Sequence, residues 1–353
     1  MDDVPSVARQ AAHPEPAQGS GAGDSPRVQV KPHTHDLPLR VGTRGSPLAL
    51  VQTRAFMATL REVCPALRTG DALQEHIIKT TGDISQASGQ RLADIGGKGL
   101  WAKEIHEALL DRRIDLAVHS LKDLETELPP GIVLAATLKR EDNRDALILS
   151  KACGPADPAN PLAALPQGAV IGSSSVRRQS QLLHARPDLT VTTLRGNVQT
   201  RLDKISDGAF DATLLALAGM RRLGLEQHAS VVLNHDVLLP AACQGIVGVT
   251  ARADDPGLLE LLAAIEDKAA RAEAEAERAL LGELDGTCRT PIGAYAQFDP
   301  ATGQLHVTGL VARADGSFLL KLTLSGTQAD AAQIGRELGR NLRAGSPTDI
   351  FAG

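Results

Sequence analysis

From Leu39 onward the chain alternates short apolar runs with amphipathic stretches, and that alternation limits the possible folds more than any other feature. "LPLRVGT", "EHIIKTTG", "IDLAVHS", "GAVIGSS", "LTVTTLRG" and "DATLLALAG" read as strands. Between them lie stretches with helical spacing: one opened by Ser46-Pro47, one over about 100–111, then "SVRRQSQLLHA" and "NVQTRLDKISDG". Ser followed by Pro is a helix-start signal, because the hydroxyl caps free N–H groups and proline's fixed φ suits the first helical position. Strands that alternate with helices build parallel-type α/β units.

The charged stretch "LKREDNRD", 138–145, interrupts the pattern and reads as a crossover between two α/β lobes. "LPAACQGIVGVTAR", 239–252, is apolar and glycine-rich, a candidate return to the first lobe. Then come a long amphipathic helix over 265–284, three runs read as antiparallel strands ("GAYAQFD", "QLHVTGLVAR", "SFLLKLTLSG") and a last helix over about 330–343. Residues 1–37 show no periodicity and read as a disordered extension. The expected class is α/β: two α/β domains, 38–138 with 245–264 and 139–244, followed by a small α+β domain over 265–353.

A net charge of −5 argues against a general nucleic-acid or anionic-membrane binder, so an anion site must be a local concentration of arginine. Without a charged-then-apolar leader or an apolar run of ~18 residues, a cytoplasmic protein without membrane contact is expected. The four cysteines, Cys64, Cys153, Cys243 and Cys288, include no CxxC spacing, so neither a metal nor a redox pair is expected. Disulfides are rare in the cytoplasm, which leaves each cysteine as core filler or reactive thiol. Cys288 stands out because it sits in a Gly-flanked turn, "LLGELDGTCRTPIGAY".

Arginines gather where strands end. "GSSSVRRQ" places Arg177 and Arg178 at a helix start, "LRGNVQTR" places Arg195 and Arg201 around the next, and "GMRRLG" adds Arg221 and Arg222. Between Gly172 and Arg222 there are eight Lys/Arg against four Asp and no Glu, a local surplus in an acidic chain. Ligands of open α/β sheets bind at the carboxyl ends of strands, where helix N-termini present free N–H groups, and arginine forks match carboxylates. Arg44 and Ser46 in "TRGSP" follow the same logic. The strand "IDLAVHS" delivers His119, Ser120, Lys122 and Asp123 into a loop, a carboxylate beside a lysine that could hold a cation or move a proton. Spacing alone fits a capping Asp and a surface Lys slightly better. The glycines of "IGGKGLWAKE" suit a ligand-hugging loop with Lys98 as its contact, and no P-loop motif is present.

Eight stretches together, "GTRGSPLAL", "IGGKGLWAKE", "AVHSLKDL", "EDNRDA", "GSSSVRRQ", "LRGNVQTRL", "LPAACQG" and "LDGTCRTPIG", resemble the porphobilinogen deaminase (hydroxymethylbilane synthase) family, in its order. The resemblance implies two domains like type II periplasmic binding proteins plus a small third domain. It implies a dipyrromethane cofactor joined to Cys288 by a thioether, and no metal. The implied reaction joins four porphobilinogen units head to tail with loss of ammonia, and water releases hydroxymethylbilane for haem and porphyrin biosynthesis.

By residue-by-residue match Asp123 is the catalytic carboxylate. Lys98, Lys122, Ser175, Arg177, Arg178 and Arg195 match cofactor-binding positions. Arg44, Ser46, Arg195, Arg201, Arg222 and Gln244 match substrate-binding ones. A monomer without nucleic-acid or membrane partners is expected. The chain departs from the family pattern at Asp94, at Glu125 where proline is common, at Cys243 where glycine is usual, and at Trp101 where phenylalanine is common. A non-catalytic anion-binding module of the same architecture is the rival reading. A cysteine hydrolase using Cys288 and His119 is a more distant one.

Overall fold

The computed structural model describes residues 37–83, 101–284 and 290–351. The first sheet combines β1 (Leu39–Thr43), β2 (Leu73–Ile77), β3 (Leu116–Ser120), β4 (Ile132–Thr137) and β10 (Val247–Arg252), in the order β2-β1-β3-β10-β4. The second combines β5 (Asp145–Leu149), β6 (Val170–Gly172), β7 (Thr190–Thr192), β8 (Ala212–Ala216) and β9 (Val231–Leu233), in the order β7-β6-β8-β5-β9. In each sheet three strands run parallel, β2-β1-β3 and β7-β6-β8. The fourth place is taken by the strand that arrives from the other lobe, and it runs antiparallel to both neighbours. The two lobes thus share one plan and exchange chain twice.

Helices cover these sheets for reasons written locally. Ser46 caps α1 (Pro47–Val63) by accepting from the Ala49 N–H, and α1 buries Phe56, Met57 and Leu60 against β1 and β3 in an aliphatic core. Burying a side chain of that size contributes roughly 1.5–3 kcal/mol. Then come α2 (Lys103–Leu110), α3 (Val176–Ala185), α4 (Val198–Ser206), α5 (Leu217–Arg222) and α6 (Pro256–Ala263). Ser175 caps α3 and Asn197 caps α4, again through side-chain oxygens. The third domain sets α7 (Lys268–Leu284) and α8 (Ala331–Ala344) against the antiparallel sheet of β11 (Ile292–Asp299), β12 (Gln304–Ala312) and β13 (Leu319–Thr327). Gly335 lets α8 approach α7 closely, since a Cβ there would collide with the Ala276 carbonyl.

Some expectations shift. The run "DATLLALAG" is a strand only to Ala216, then turns into α5. The units are not wholly parallel, because β5 and β10 enter their sheets in reverse. Strands β4, β5 and β9 and helix α6 add to the elements read from the sequence.

One joint ties the lobes to the third domain. Arg140 lies between them, 9% exposed, and donates to Glu277 at 2.6 and 3.2 Å, to Glu273 at 3.2 Å and to the carbonyls of Gln244 and Ala296. Glu277 also accepts from the backbone N–H of Cys243 and Ala296. Burial works against the Arg140 charge, but Glu277 and Glu273 outweigh it and raise its pKa. Cys243 sits here at φ +60°, the left-handed region that favours glycine, which explains why glycine is the usual residue. Burial, then Glu277, pushes its thiol up to about 12, so it fills the core and is not a reactive group.

Candidate active site

The strand ends of both lobes face a common cleft. On the first lobe, β1 runs out into Arg44 and Ser46, and β3 runs into a short 3-10 turn, Leu121–Asp123, that leaves Lys122 and Asp123 solvent-accessible. A pocket there is lined by Arg44, Ser46, Trp101, His119, Ser120 and Asp123. The Arg44 guanidinium stacks 3.9 Å from the Trp101 ring centroid and binds Asp83 at 2.5 Å. His119 is buried behind the pocket with Nε2 2.9 Å from the Thr250 hydroxyl. Burial, then the neighbouring His106, pushes its pKa down to about 3, so it stays neutral.

On the second lobe the arginines divide by depth. Arg177 and Arg178 are buried and share Asp145, which is 0% exposed, at 2.9 and 2.7 Å. Nη1 of Arg177 donates to the Leu239 carbonyl and Nη1 of Arg178 to the Leu214 carbonyl. Burial alone would raise the Asp145 carboxyl, but Arg178 and Arg177 hold it far below the usual range. Gln244 is buried beside them, donating to Asn143 O and Asp145, and its Oε1 accepts from Lys122 Nζ at 3.3 Å. Lys122 therefore reaches from the first lobe to the charge centre of the second. The cleft walls desolvate it and lower its pKa, Asp123 opposes that, and Arg178 adds to it.

Arg195, Arg201 and Arg222 are half-buried. Arg201 Nε donates to Gly196 O at 3.0 Å and Arg222 to Gly245 O at 2.7 Å, and among the described residues neither is ion-paired. Burial, then repulsion by Arg178 and Arg195, draws Arg201 down to about 10. Cations crowded in this way are stabilised by an incoming anion.

The structure thus gathers Lys122, Arg177, Arg178 and Gln244 around Asp145, and Arg44, Ser46 and Asp123 around one pocket. The hydroxyl oxygens of Ser46 and Ser175 accept helix-cap hydrogen bonds from the Ala49 and Arg178 N–H groups. Lys98, Cys288 and the departure at Asp94 lie outside the described residues. Two residues escaped the sequence reading. Asp145 was legible as the last acid of "EDNRDA", and Asp83 as the acid after "KTTG".

Two family models match the chain: "Porphobilinogen deaminase, dipyromethane cofactor binding domain" over residues 39–260 and "Porphobilinogen deaminase, C-terminal domain" over 271–344. The chloroplastic porphobilinogen deaminase of Oryza sativa subsp. japonica is 44% identical over 315 residues, 89% of this chain and 85% of that one. The porphobilinogen deaminase of Paracoccus denitrificans is 44% identical over 314 residues, 89% of this chain and 96% of that one. Among solved structures, substrate binding domain 2 of Lactococcus lactis GlnP in its open conformation covers 71% of this chain and 96% of its own, at 10% identity and TM-score 0.40.

Proposed function

The chain belongs to the porphobilinogen deaminase family, transferases that work on a dipyrromethane cofactor, and we propose that the cleft between its two lobes is where it builds hydroxymethylbilane from four porphobilinogen units. The observation that carries this reading is one pocket that joins Asp123 to Arg44 and Ser46, beside a cluster where two buried arginines share Asp145 and Lys122 reaches it through Gln244. A binder of small anions would need the arginines but not the exposed Asp123 at the pocket wall.

The residues present fit the cofactor. A two-pyrrole primer carries acetate and propionate carboxylates, and Arg178 Nε is buried with no hydrogen-bond partner among the described residues. When bound, the dipyrromethane supplies the free pyrrole carbon on which the chain grows. Lys98, Lys122, Ser175, Arg177, Arg178 and Arg195 hold its carboxylates, and Cys288 anchors it as a thioether. Arg44 and Ser46 orient the incoming porphobilinogen through its carboxylates, and Arg195, Arg201, Arg222 and Gln244 meet the lengthening chain. Asp123 would offset positive charge that develops as ammonia leaves and accept the proton lost from the bonded carbon. Its neighbour His119 is buried and kept neutral by burial and by His106.

The domain division belongs to the same proposal: 38–138 with 245–264, 139–244, and 265–353, supported by which strands share a sheet. So do a cytoplasmic location, a monomer, and the absence of nucleic-acid and membrane partners. No helix among the described residues is long and apolar enough to cross a membrane.

Intact mass tests the reading. Wild type should carry a two-pyrrole adduct, and Cys288→Ala should fold without it and without turnover. An adduct retained by the variant, or an active wild type lacking one, contradicts the assignment of Cys288.

A further inference from the structure

The turn that carries Asp123 is held from two sides by contacts that play no part in the scheme above. On one side, the carboxylate of Glu125 stands 3.1 Å from Nδ1 of His106 on α2, with side chains 11% and 3% exposed. On the other, Arg278 on α7 donates to the carbonyls of Glu125 at 2.7 Å and Thr126 at 2.8 Å. Between these grips and the turn, Leu124 is buried with Leu121, Ala102 and Ala274. Asp123 is thus an exposed residue flanked by the buried Leu121 and Leu124, two residues from a carboxylate buried against a histidine.

Stability does not explain the Glu125–His106 pair. Oε2 of Glu125 and both ring nitrogens of His106 are buried with no hydrogen-bond partner among the described residues, so the 3.1 Å approach is a close polar contact without hydrogen-bond geometry, which is costly. A buried polar pair in this condition is commonly no more stable than two apolar side chains in its place. What the pair does supply is direction: it places the backbone at 125 relative to α2, while Arg278 places it relative to α7, the helix that precedes Cys288 in sequence. A carboxylate displaced by about 1 Å from its reacting partner loses on the order of 10²-fold in rate.

We propose that Glu125, through His106 and with Arg278, is a positioning residue that sets Asp123 against the reacting pyrrole. This rests on the reading of Asp123 as the catalytic carboxylate, and the test separates the two.

The experiment measures turnover, KM for porphobilinogen and thermal midpoint in the cofactor-loaded enzyme carrying Glu125→Gln, the double replacement His106→Leu with Glu125→Leu, Arg278→Met, and Asp123→Asn. Glu125→Gln should lower kcat about tenfold or more, with KM and cofactor loading within twofold of wild type. The double leucine variant should keep its thermal midpoint yet lose kcat to the same extent, which a merely structural pair would not do. The exchange His106→Glu with Glu125→His should restore kcat to within threefold. If Glu125→Gln and the leucine pair both turn over within twofold of wild type, the proposal is overturned. It is overturned equally if kcat falls only in step with thermal midpoint. Should the leucine pair fail to fold, Arg278→Met takes its place, and unchanged kcat there overturns the proposal. Asp123→Asn tests the premise on its own: activity within tenfold of wild type removes Asp123, whereas its near-loss with a fully active Glu125→Gln removes only the positioning role.

Discussion

Two buried arginine assemblies in this molecule look alike in composition and differ in balance. At the joint, one guanidinium, Arg140, meets two carboxylates, Glu273 and Glu277, and two carbonyls. In the cleft, two guanidinium groups, Arg177 and Arg178, meet one carboxylate, Asp145, with Lys122 at its edge. The pKa directions follow the balance: Arg140 is raised by its acids, while Arg177, Arg201 and Lys122 are lowered, desolvation by the surrounding protein being the first cause in each. Burial of arginine therefore does not mark a site. A carboxylate excess satisfies the cation and makes a joint, and a cation excess awaits an anion and makes a receptor.

The largest effects should break the joint. Arg140→Met leaves Glu277 buried and unpaired, and unpairing a buried ion pair costs roughly 3–5 kcal/mol. Urea unfolding should show that loss, with the cofactor adduct still present in the folded fraction by intact mass. If stability changes by less than about 1 kcal/mol, the joint is not what holds the third domain to the lobes.

Asp145→Asn applies the same break to the receptor, and pH distinguishes it. At neutral pH it should cost a similar roughly 3–5 kcal/mol, because Arg177 and Arg178 lose their shared counter-ion. The folded pKa of Asp145 lies far below the unfolded value of about 3.9, so its contribution is complete above that value and fades as pH falls below it. The gap between variant and wild type should stay constant from about pH 7 to 5 and close below about pH 4. A gap that narrows already between pH 7 and 5 would mean that another group carries it.

Smaller effects belong to Arg201, which has a carbonyl partner but among the described residues no ion pair. A charge-assisted hydrogen bond to a carboxylate contributes about 1.5–3 kcal/mol, so Arg201→Leu should lower kcat/KM by roughly tenfold to a hundredfold. Steady-state kinetics and native mass of the quenched enzyme should show elongation stalled at a defined ring number. Turnover equal to wild type would remove Arg201 from the growing-chain site.

Much of this contrast was legible in the sequence, though not all. Ser46, Ser175 and the arginines of "GSSSVRRQ" announce helix starts at strand ends because capping and charge act within a few residues. The orientation of β5 and β10 was not legible, since an apolar run carries no sign of its direction in a sheet. Nor was the partnership of Asp145 with Arg177 and Arg178, more than 30 residues away in sequence. "EDNRDA" showed acids in a crossover, but not which would be drawn inside. Arg140 and Glu277 are separated by 137 residues, and only the folded chain brings them together. The end of β8 was misread because "LLALAG" is apolar through both a strand and the helix that follows.

The most direct test of charge balance is the unfolding free energy of Arg201→Leu measured in the Cys288→Ala chain, where no pyrrole adduct offsets the cleft. If Arg201 belongs to an excess of cations, removing it relieves repulsion from Arg178 and Arg195. Stability should then stay within about 0.5 kcal/mol or rise, since one neutral-acceptor hydrogen bond is worth only about 0.5–1.5 kcal/mol. A loss of about 3 kcal/mol, like that expected for Arg140→Met, would show Arg201 to be a structural arginine and would contradict the account.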